Sequence, residues 1–243
     1  MELLVAVAII AILAALLLPA LSRVKNQSAK ATDFNNLHQT MVAVQIYTQN
    51  NKDGLPWSNW DYGAAMPDDM ARPGWLYTPD LKATGAAVFK AQRGQLWDEL
   101  HQAKLYLCPM DRPDMVYATK GATKQRAQQL SSYIMNGAVN GFRSGYYSNA
   151  LPVKISAMKP EDCILFEADD RKAGSFNDGA SWPNEGVTAR HQQGATLTAA
   201  DGSAEYVRDA EWAMEASDTN RNRLWCYPAT SDGGDPVYGH DRW

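Results

Sequence analysis

Cysteine is scarce in this chain: three in 243 residues, at Cys108, Cys163 and Cys226. None stands in a C-x-x-C pair, which excludes a zinc ribbon and a thioredoxin-type redox motif. An odd count allows one disulfide and one free thiol, with Cys108 and Cys226 as the candidate pair, or three buried free thiols. Excess positive charge is also lacking. The net charge is −4 and the Lys and Arg residues are scattered rather than gathered in a stripe, so nucleic acid is not an expected partner. Enzyme signatures are absent as well: there is no G-x-S-x-G, H-E-x-x-H, Walker loop or G-x-G-x-x-G. No catalytic activity is therefore expected. Internal repeats and low-complexity tracts are missing too.

The most informative absence is of charge between Leu3 and Leu21, LLVAVAIIAILAALLLPAL. Those residues are close to the ~20 that cross a bilayer core as a helix, and Ala and Leu favour helix. Three readings compete. A cleaved signal peptide begins with a basic region, but here an acid, Glu2, stands at the start. A plain membrane anchor would use Arg23, Lys25 and Lys30 as flanking positive charge. A polymerising helix would explain Glu2, because an acid at the edge of an apolar run is costly unless a partner, such as a neighbouring subunit's amine, cancels its charge.

The residues from Glu2 to Leu21 resemble the helix of type IV pilins and type II secretion pseudopilins that follows the prepilin peptidase site. Glu2 matches the family glutamate, Leu3 and Leu4 open the apolar run, and Pro19 matches the helix-kinking proline. Met1 stands where the family residue before the glutamate belongs, and the family's basic leader is not in this sequence. Further stretches resemble a branch of pilin-like proteins abundant in Planctomycetes- and Verrucomicrobia-type bacteria: Phe34-Asn35-Asn36-Leu37-His38-Gln39, the helix exit Tyr47 to Pro56, Leu107-Cys108-Pro109-Met110-Asp111, and Ser132 to Gly137. The most specific is His191, nine intervening residues, then Asp201-Gly202, which matches that branch's His-x9-Asp-Gly element. The resemblance implies a homo-oligomeric helical filament, pilus-like or pseudopilus-like. Its subunits wait in the cytoplasmic membrane, meet a prepilin peptidase and an assembly machinery, and end in an extracellular or periplasmic filament.

After Pro19, which should bend or locally melt the rod, an apolar stripe at Val24, Ala31, Phe34, Leu37, Met41, Val44 and Tyr47 or Thr48 continues the helix. Asn50 to Gly54 then stops it. The expected organisation is a helix over residues 1–52, with 1–21 as its membrane or filament-core part, and a globular head over 53–243. Within the head, residues 53–80 form a Pro- and Gly-rich stretch carrying Trp57, Trp60, Trp75, Tyr62 and Tyr77. It reads as a packed loop, with a ligand platform as the alternative. Gly94 to His101 reads as a short helix, Lys104 to Cys108 as a short strand, and residues 120–130 as a helical piece. Ser132 to Gly137 reads as a strand ending in an Asn-Gly turn, and Cys163 to Ala168 as a central strand. Gly194 to Val207 reads as a hairpin around Asp201-Gly202 with a type I′ turn. The expected fold is α+β and pilin-like: a long N-terminal hydrophobic helix on a small antiparallel sheet with loop-rich insertions.

Two groups of residues invite a chemical reading. His191, Asp201 and Glu167 could converge on a metal or acid/base site. The structural alternative has His191 locking the hairpin and Asp201 occupying its turn. In the tail, Asp232, Asp235 and Asp241 are candidate calcium ligands in an irregular loop, since Asp218 to Asn222 begins like an EF-hand but lacks its glycine and bidentate glutamate. No other cofactor is expected. The alternative function is a membrane-tethered, unpolymerised module binding a glycan or polymer. A metal hydrolase built on His191, Asp201 and Glu167 is the third.

Overall fold

The computed structural model describes residues 2–60, 73–80, 82–114, 116–119, 122–141, 151–236 and 239–240. Helix α1 runs unbroken from Glu2 to Asn50, about 74 Å at 1.5 Å per residue. Helical backbone continues through Pro19, so the expected local melting does not occur. One lost hydrogen bond is offset by the Ala and Leu residues around it. The helix stops as the residues beyond Asn50 dictate: Lys52 and Asp53 both take positive φ, 55° and 70°.

The two halves of α1 have opposite environments. From Leu3 to Val24 the large aliphatic side chains described are all exposed, with Leu3 at 79% and Leu21 at 66%. In the second half Ala29, Asp33, Asn36, Leu37, Thr40, Met41, Val44 and Thr48 are buried, at the three- and four-residue steps of one helix face. The expected stripe is correct at Leu37, Met41 and Val44. It is wrong at Val24 and Ala31, which are exposed, while Phe34 is half-buried. The face that docks is partly polar: Asn36 Nδ2 donates to the Leu107 carbonyl at 3.0 Å, and Thr40 Oγ1 to the Asn36 carbonyl at 2.8 Å.

The head is built on a five-stranded sheet. Its strands are β3 (Tyr133–Asn136), β4 (Cys163–Glu167), β5 (Ala180–Ser181), β6 (Gly194–Ala199) and β7 (Ala204–Arg208), in the order β5-β3-β4-β6-β7. Four of the strands pair antiparallel, but β3 and β5 run parallel, so the sheet is mixed rather than antiparallel. As expected, the apolar run at Cys163 forms the central strand. Side chains alternate between two cores. Tyr133, Met135 and Leu165 join α1 residues Leu37, Met41 and Val44 on one face. Ile134, Phe166 and Leu197 pack on the other against Trp212 of helix α4 (Asp209–Ala216). The second half of α1 is thus one layer of the head.

Several local expectations change. Lys104 to Cys108 is not a strand; Ala103–Tyr106 is a 3₁₀ turn whose Leu105 and Tyr106 face the core. The stretch at 120–130 contains no helix among its described residues. There, β1 (Val116–Thr119) and β2 (Ala122–Gln125) form a separate antiparallel hairpin. Within Gly94 to His101 the helix is the single turn α2 (Trp97–Leu100). Asn136-Gly137 is not a turn between strands: Asn136 caps the short helix α3 (Gly137–Asn140), its Oδ1 accepting from the Ala138 amide at 3.0 Å. The β6–β7 hairpin is as expected, but only Gly202 in its turn takes positive φ, 88°. That marks a four-residue turn with a glycine bulge rather than type I′.

The aromatic loop is core. Trp60, Trp75 and Tyr77 are buried and Trp57 half-buried. Trp75 Nε1 donates to the Gly179 carbonyl at 2.7 Å, and Trp60 packs on Trp182 with ring centroids 5.1 Å apart. Tyr62 lies outside the described residues.

Candidate functional site

Strand register sets a polar row under α1. Tyr133 on β3 pairs with Glu167 on β4, and Thr196 on β6 pairs with Tyr206 on β7. The neighbouring Phe166–Leu197 pair places Glu167 beside Thr196. Four side chains from four strands therefore share the sheet face that α1 covers. On α1, Lys30 stacks its ammonium 3.5 Å from the Tyr206 ring centroid, and one turn later Asp33 sits over the middle of the row.

Around Asp33 the groups converge. Its Oδ1 accepts from the Tyr133 hydroxyl. Its Oδ2 accepts from Thr196 Oγ1 at 2.6 Å and lies 3.1 Å from His191 Nε2. The same Nε2 lies 3.3 Å from Glu167 Oε2 and 3.4 Å from Cys108 Sγ. Glu167 Oε2 also accepts from the Thr196 amide at 2.9 Å, while Arg190 holds Glu167 Oε1 at 3.1 Å. The Met110 amide points at Cys108 Sγ, 3.4 Å away. One ligating atom each from Asp33, Cys108, Glu167 and His191 lies within 4.8 Å of every other, and all four residues are buried.

A second charged layer backs this cluster. Asp111 takes a two-pronged grip from Arg126, with Nη1 to Oδ2 at 2.7 Å and Nη2 to Oδ1 at 2.9 Å. It is also paired with Arg190. Its Oδ2 accepts from Ser132 Oγ at 2.7 Å, and Ser132 Oγ in turn accepts from the Cys108 amide at 2.9 Å. Arg190 thus links the Asp111 layer to Glu167.

Burial and pairing divide the charge. Burial alone would raise the Glu167 pKa, but Arg190 and His191 outweigh it and hold the carboxyl below its usual range. Asp33, with no arginine, is pushed up by burial and by the charge of Glu167. Burial would lower the His191 imidazole, yet the hydrogen bonds to Asp33 and Glu167 raise it to about 9. The Cys108 thiol is pushed up by burial and by both carboxylates.

The structure brings together two of the three residues the sequence singled out. Glu167 and His191 meet; Asp201 does not join them. The nine intervening residues are β6 (Gly194–Ala199) with Gln192, Gln193 and Ala200 at its ends, so the strand places His191 near one end and Asp201-Gly202 near the other. Asp201 is exposed, and its Oδ1 accepts from the Ser203 amide at 2.8 Å, as the turn-forming alternative requires. Gly202 offers its carbonyl to His38 Nδ1 at 3.1 Å, so both ends of the His-x9-Asp-Gly element contact α1. Sequence reading missed Asp33, Arg190 and Asp111. Asp33 had a signal: it lies one helical turn before Leu37 on the docking face. Asp111 lay within the Leu107 to Asp111 element but carried no assigned role.

The remaining candidates fall elsewhere. Cys108 and Cys226 do not form a disulfide; all three cysteines are free and buried. Cys108 faces His191, whereas Cys226 Sγ lies 3.7 Å from Asn136 Nδ2. In the tail, Asp232 Oδ1 accepts from the Gly234 amide at 3.1 Å, and Asp235 is buried. Neither belongs to a group of three or more His, Cys, Asp or Glu ligands among the described residues, and Asp241 lies outside them. Glu2 and Leu4 lie in α1, whose start is helical as expected, and Leu3 is exposed. Comparison with protein-family models, with curated proteins and with solved structures gives no match.

Proposed function

We propose that this chain is the subunit of a helical filament, pilus-like or pseudopilus-like, which polymerises through the first half of α1 and displays the head on its surface. The observation that carries this reading is the bare apolar rod. By length and composition α1 is long and apolar enough to cross a membrane, and its chargeless residues 3–21 span about 28 Å as helix against a bilayer core of about 30 Å. A helix apolar on every side needs an apolar surrounding on every side. A bilayer supplies one before assembly and a bundle of identical rods supplies the other after it. Burial is worth about 1.5–3 kcal/mol per large aliphatic side chain. Because the rod is continuous with a helix that forms one layer of the head, packing the rods also fixes how the heads are arrayed. Glu2 gives the bundle its register by pairing with a neighbour's N-terminal amine, and no enzymatic step is required of the head.

The alternative, a tethered glycan-binding module, has less support: of its five candidate aromatics Trp60, Trp75 and Tyr77 are buried and Trp57 half-buried, and Tyr62 lies outside the described residues. The test is electron microscopy of material sheared from cells, comparing wild type with Glu2→Lys. Filaments in wild type and none in the variant, with the variant's head still folded in detergent, is the expected result. Normal filaments from Glu2→Lys, or a wild-type chain that stays monodisperse at the membrane, would refute the reading.

A further inference from the structure

We infer that Asp33, Cys108, Glu167 and His191 form a structural zinc site that fastens α1 to the head. Nothing in the filament reading requires this, and it stands or falls separately.

Three features of the cluster point to a cation. The first is the crowding of ligand atoms on one nitrogen: His191 Nε2 faces Asp33 Oδ2, Glu167 Oε2 and Cys108 Sγ at 3.1, 3.3 and 3.4 Å, and its one N–H hydrogen cannot fully serve both carboxylate oxygens. A tetrahedral zinc with ordinary Zn–O, Zn–N and Zn–S bonds keeps its donor atoms about 3.3–3.6 Å apart, close to the three edges that meet at Nε2; the other three edges lie within 4.8 Å, so binding draws those atoms together.

The second is the way Asp33, Glu167 and Cys108 are held, although the buried His191 Nδ1 has no partner among the described residues. Tyr133 occupies Asp33 Oδ1 and Arg190 occupies Glu167 Oε1, so each carboxylate turns its other oxygen to the common centre. Thr196 steadies both inward oxygens, its hydroxyl donating to Asp33 Oδ2 at 2.6 Å and its amide to Glu167 Oε2 at 2.9 Å. The Met110 amide at 3.4 Å from Cys108 Sγ is a donor suited to a thiolate. Partners of this kind orient ligands in zinc sites.

The third is charge. Zinc with one thiolate, two carboxylates and a neutral imidazole carries −1. Asp111 adds −1, and Arg126 and Arg190 add +2, leaving the buried set neutral, the same total as the metal-free set with a Cys108 thiol and a His191 imidazolium, so zinc enters by displacing two protons and leaves the buried charge unchanged. A sulfur, a nitrogen and two oxygens select zinc over calcium or magnesium, which take all-oxygen shells. With four protein ligands no coordination position is left for water, so the site is structural rather than hydrolytic. The ligands come from α1, the segment after the Ala103–Tyr106 turn, the end of β4 and the approach to β6, so one ion would tie all four together. Two clefts flank α1 here, one of about 290 Å³ bordered by His191 and one of about 490 Å³ bordered by Cys108, giving a hydrated ion an approach.

The test uses the full chain in detergent, purified without a metal-binding tag. Elemental analysis is expected to find one zinc per chain in wild type and in Asp201→Ala, and well under half that in His191→Ala and Cys108→Ser. Cobalt exchanged into wild type is expected to show tetrahedral absorption with a thiolate-to-metal charge-transfer band, the latter lost in Cys108→Ser. If the variants fail to fold, the wild-type cobalt spectrum decides alone. Wild type that holds no zinc and gives no thiolate band with cobalt overturns the site, as does metal binding undiminished in both variants.

Discussion

Asp33, on α1, and His191, just before β6, are 158 positions apart in sequence and 3.1 Å apart in space. Their contact joins the helix to the sheet through charge rather than through apolar packing alone. Asp33→Ala would leave Tyr133, Thr196 and His191 without their shared partner inside the core. Breaking one side of a buried charged cluster costs about 3–5 kcal/mol. His191→Ala should cost a similar amount, and the double variant less than the sum by about 1 kcal/mol or more, because both remove the same contact. Urea unfolding of the four proteins in detergent measures this. Strictly additive losses would show that the pair does not act as a unit.

Asp111 gives a prediction with a pH signature. It lies between Arg126 and Arg190 with its side chain essentially inaccessible. Burial would raise its pKa, but Arg190 and Arg126 outweigh burial and lower it. A carboxyl lowered in the folded state contributes stability above its unfolded pKa and loses it as the pH falls through the folded value. Asp111→Asn leaves two buried guanidiniums less than fully paired and should cost about 3–5 kcal/mol at neutral pH. The gap between wild type and variant should stay constant down to about pH 5 and close only below about pH 4, where a free aspartate protonates. A gap that closes between pH 7 and 5 would assign the stabilisation to another group.

How much of this was legible depends on the range of the forces involved. The α1 helix, the central strand at Cys163 and the β6–β7 hairpin were readable because each is written in local pattern: a chargeless Ala-Leu run, a short apolar run between turn residues, and alternation around Asp-Gly. Lys104 to Cys108 misled because Leu105, Tyr106 and Leu107 form a short apolar run, and such runs do not separate a strand from a 3₁₀ turn. Residues 122–125 read as helical from their polarity, but pairing with β1 decides them. The site was half legible. His191 and Glu167 stood out, whereas Asp33 reads locally as one more polar residue on a helix. Its partners come from sheet register, which no local window contains.

Gly202 tests the turn. Its φ of 88° is open to glycine and strained for other residues, and its carbonyl meets His38 of α1. Gly202→Ala should destabilise the head by about 1–2 kcal/mol through the left-handed backbone alone. Asp201→Ala, which removes only the exposed bond to the Ser203 amide, should cost less. Thermal melts of both variants decide the order, and an Asp201→Ala penalty above that of Gly202→Ala would contradict the turn geometry.

The two halves of α1 should respond in opposite ways to substitution. Ile10 is 65% exposed and Leu37 fully buried. Leu37→Ala opens a cavity between α1 and the sheet and should cost the head about 2–5 kcal/mol, while the bare half keeps its full apolar surface. Ile10→Asp touches nothing in the head, so its stability should change by no more than about 0.5 kcal/mol. The same substitution places a carboxylate where a bilayer or neighbouring rods must surround it, at a cost of about 2.5–3.5 kcal/mol at mid-membrane. Ile10→Asp should therefore sharply reduce membrane retention and filament yield with an unchanged melting temperature, and Leu37→Ala should do the reverse per molecule that folds. Scoring both variants by membrane fractionation, filament counts and head melting separates the two roles of the helix. A head destabilised by Ile10→Asp would mean that the first half packs on the head after all, and the free rod on which the polymer model rests would not exist.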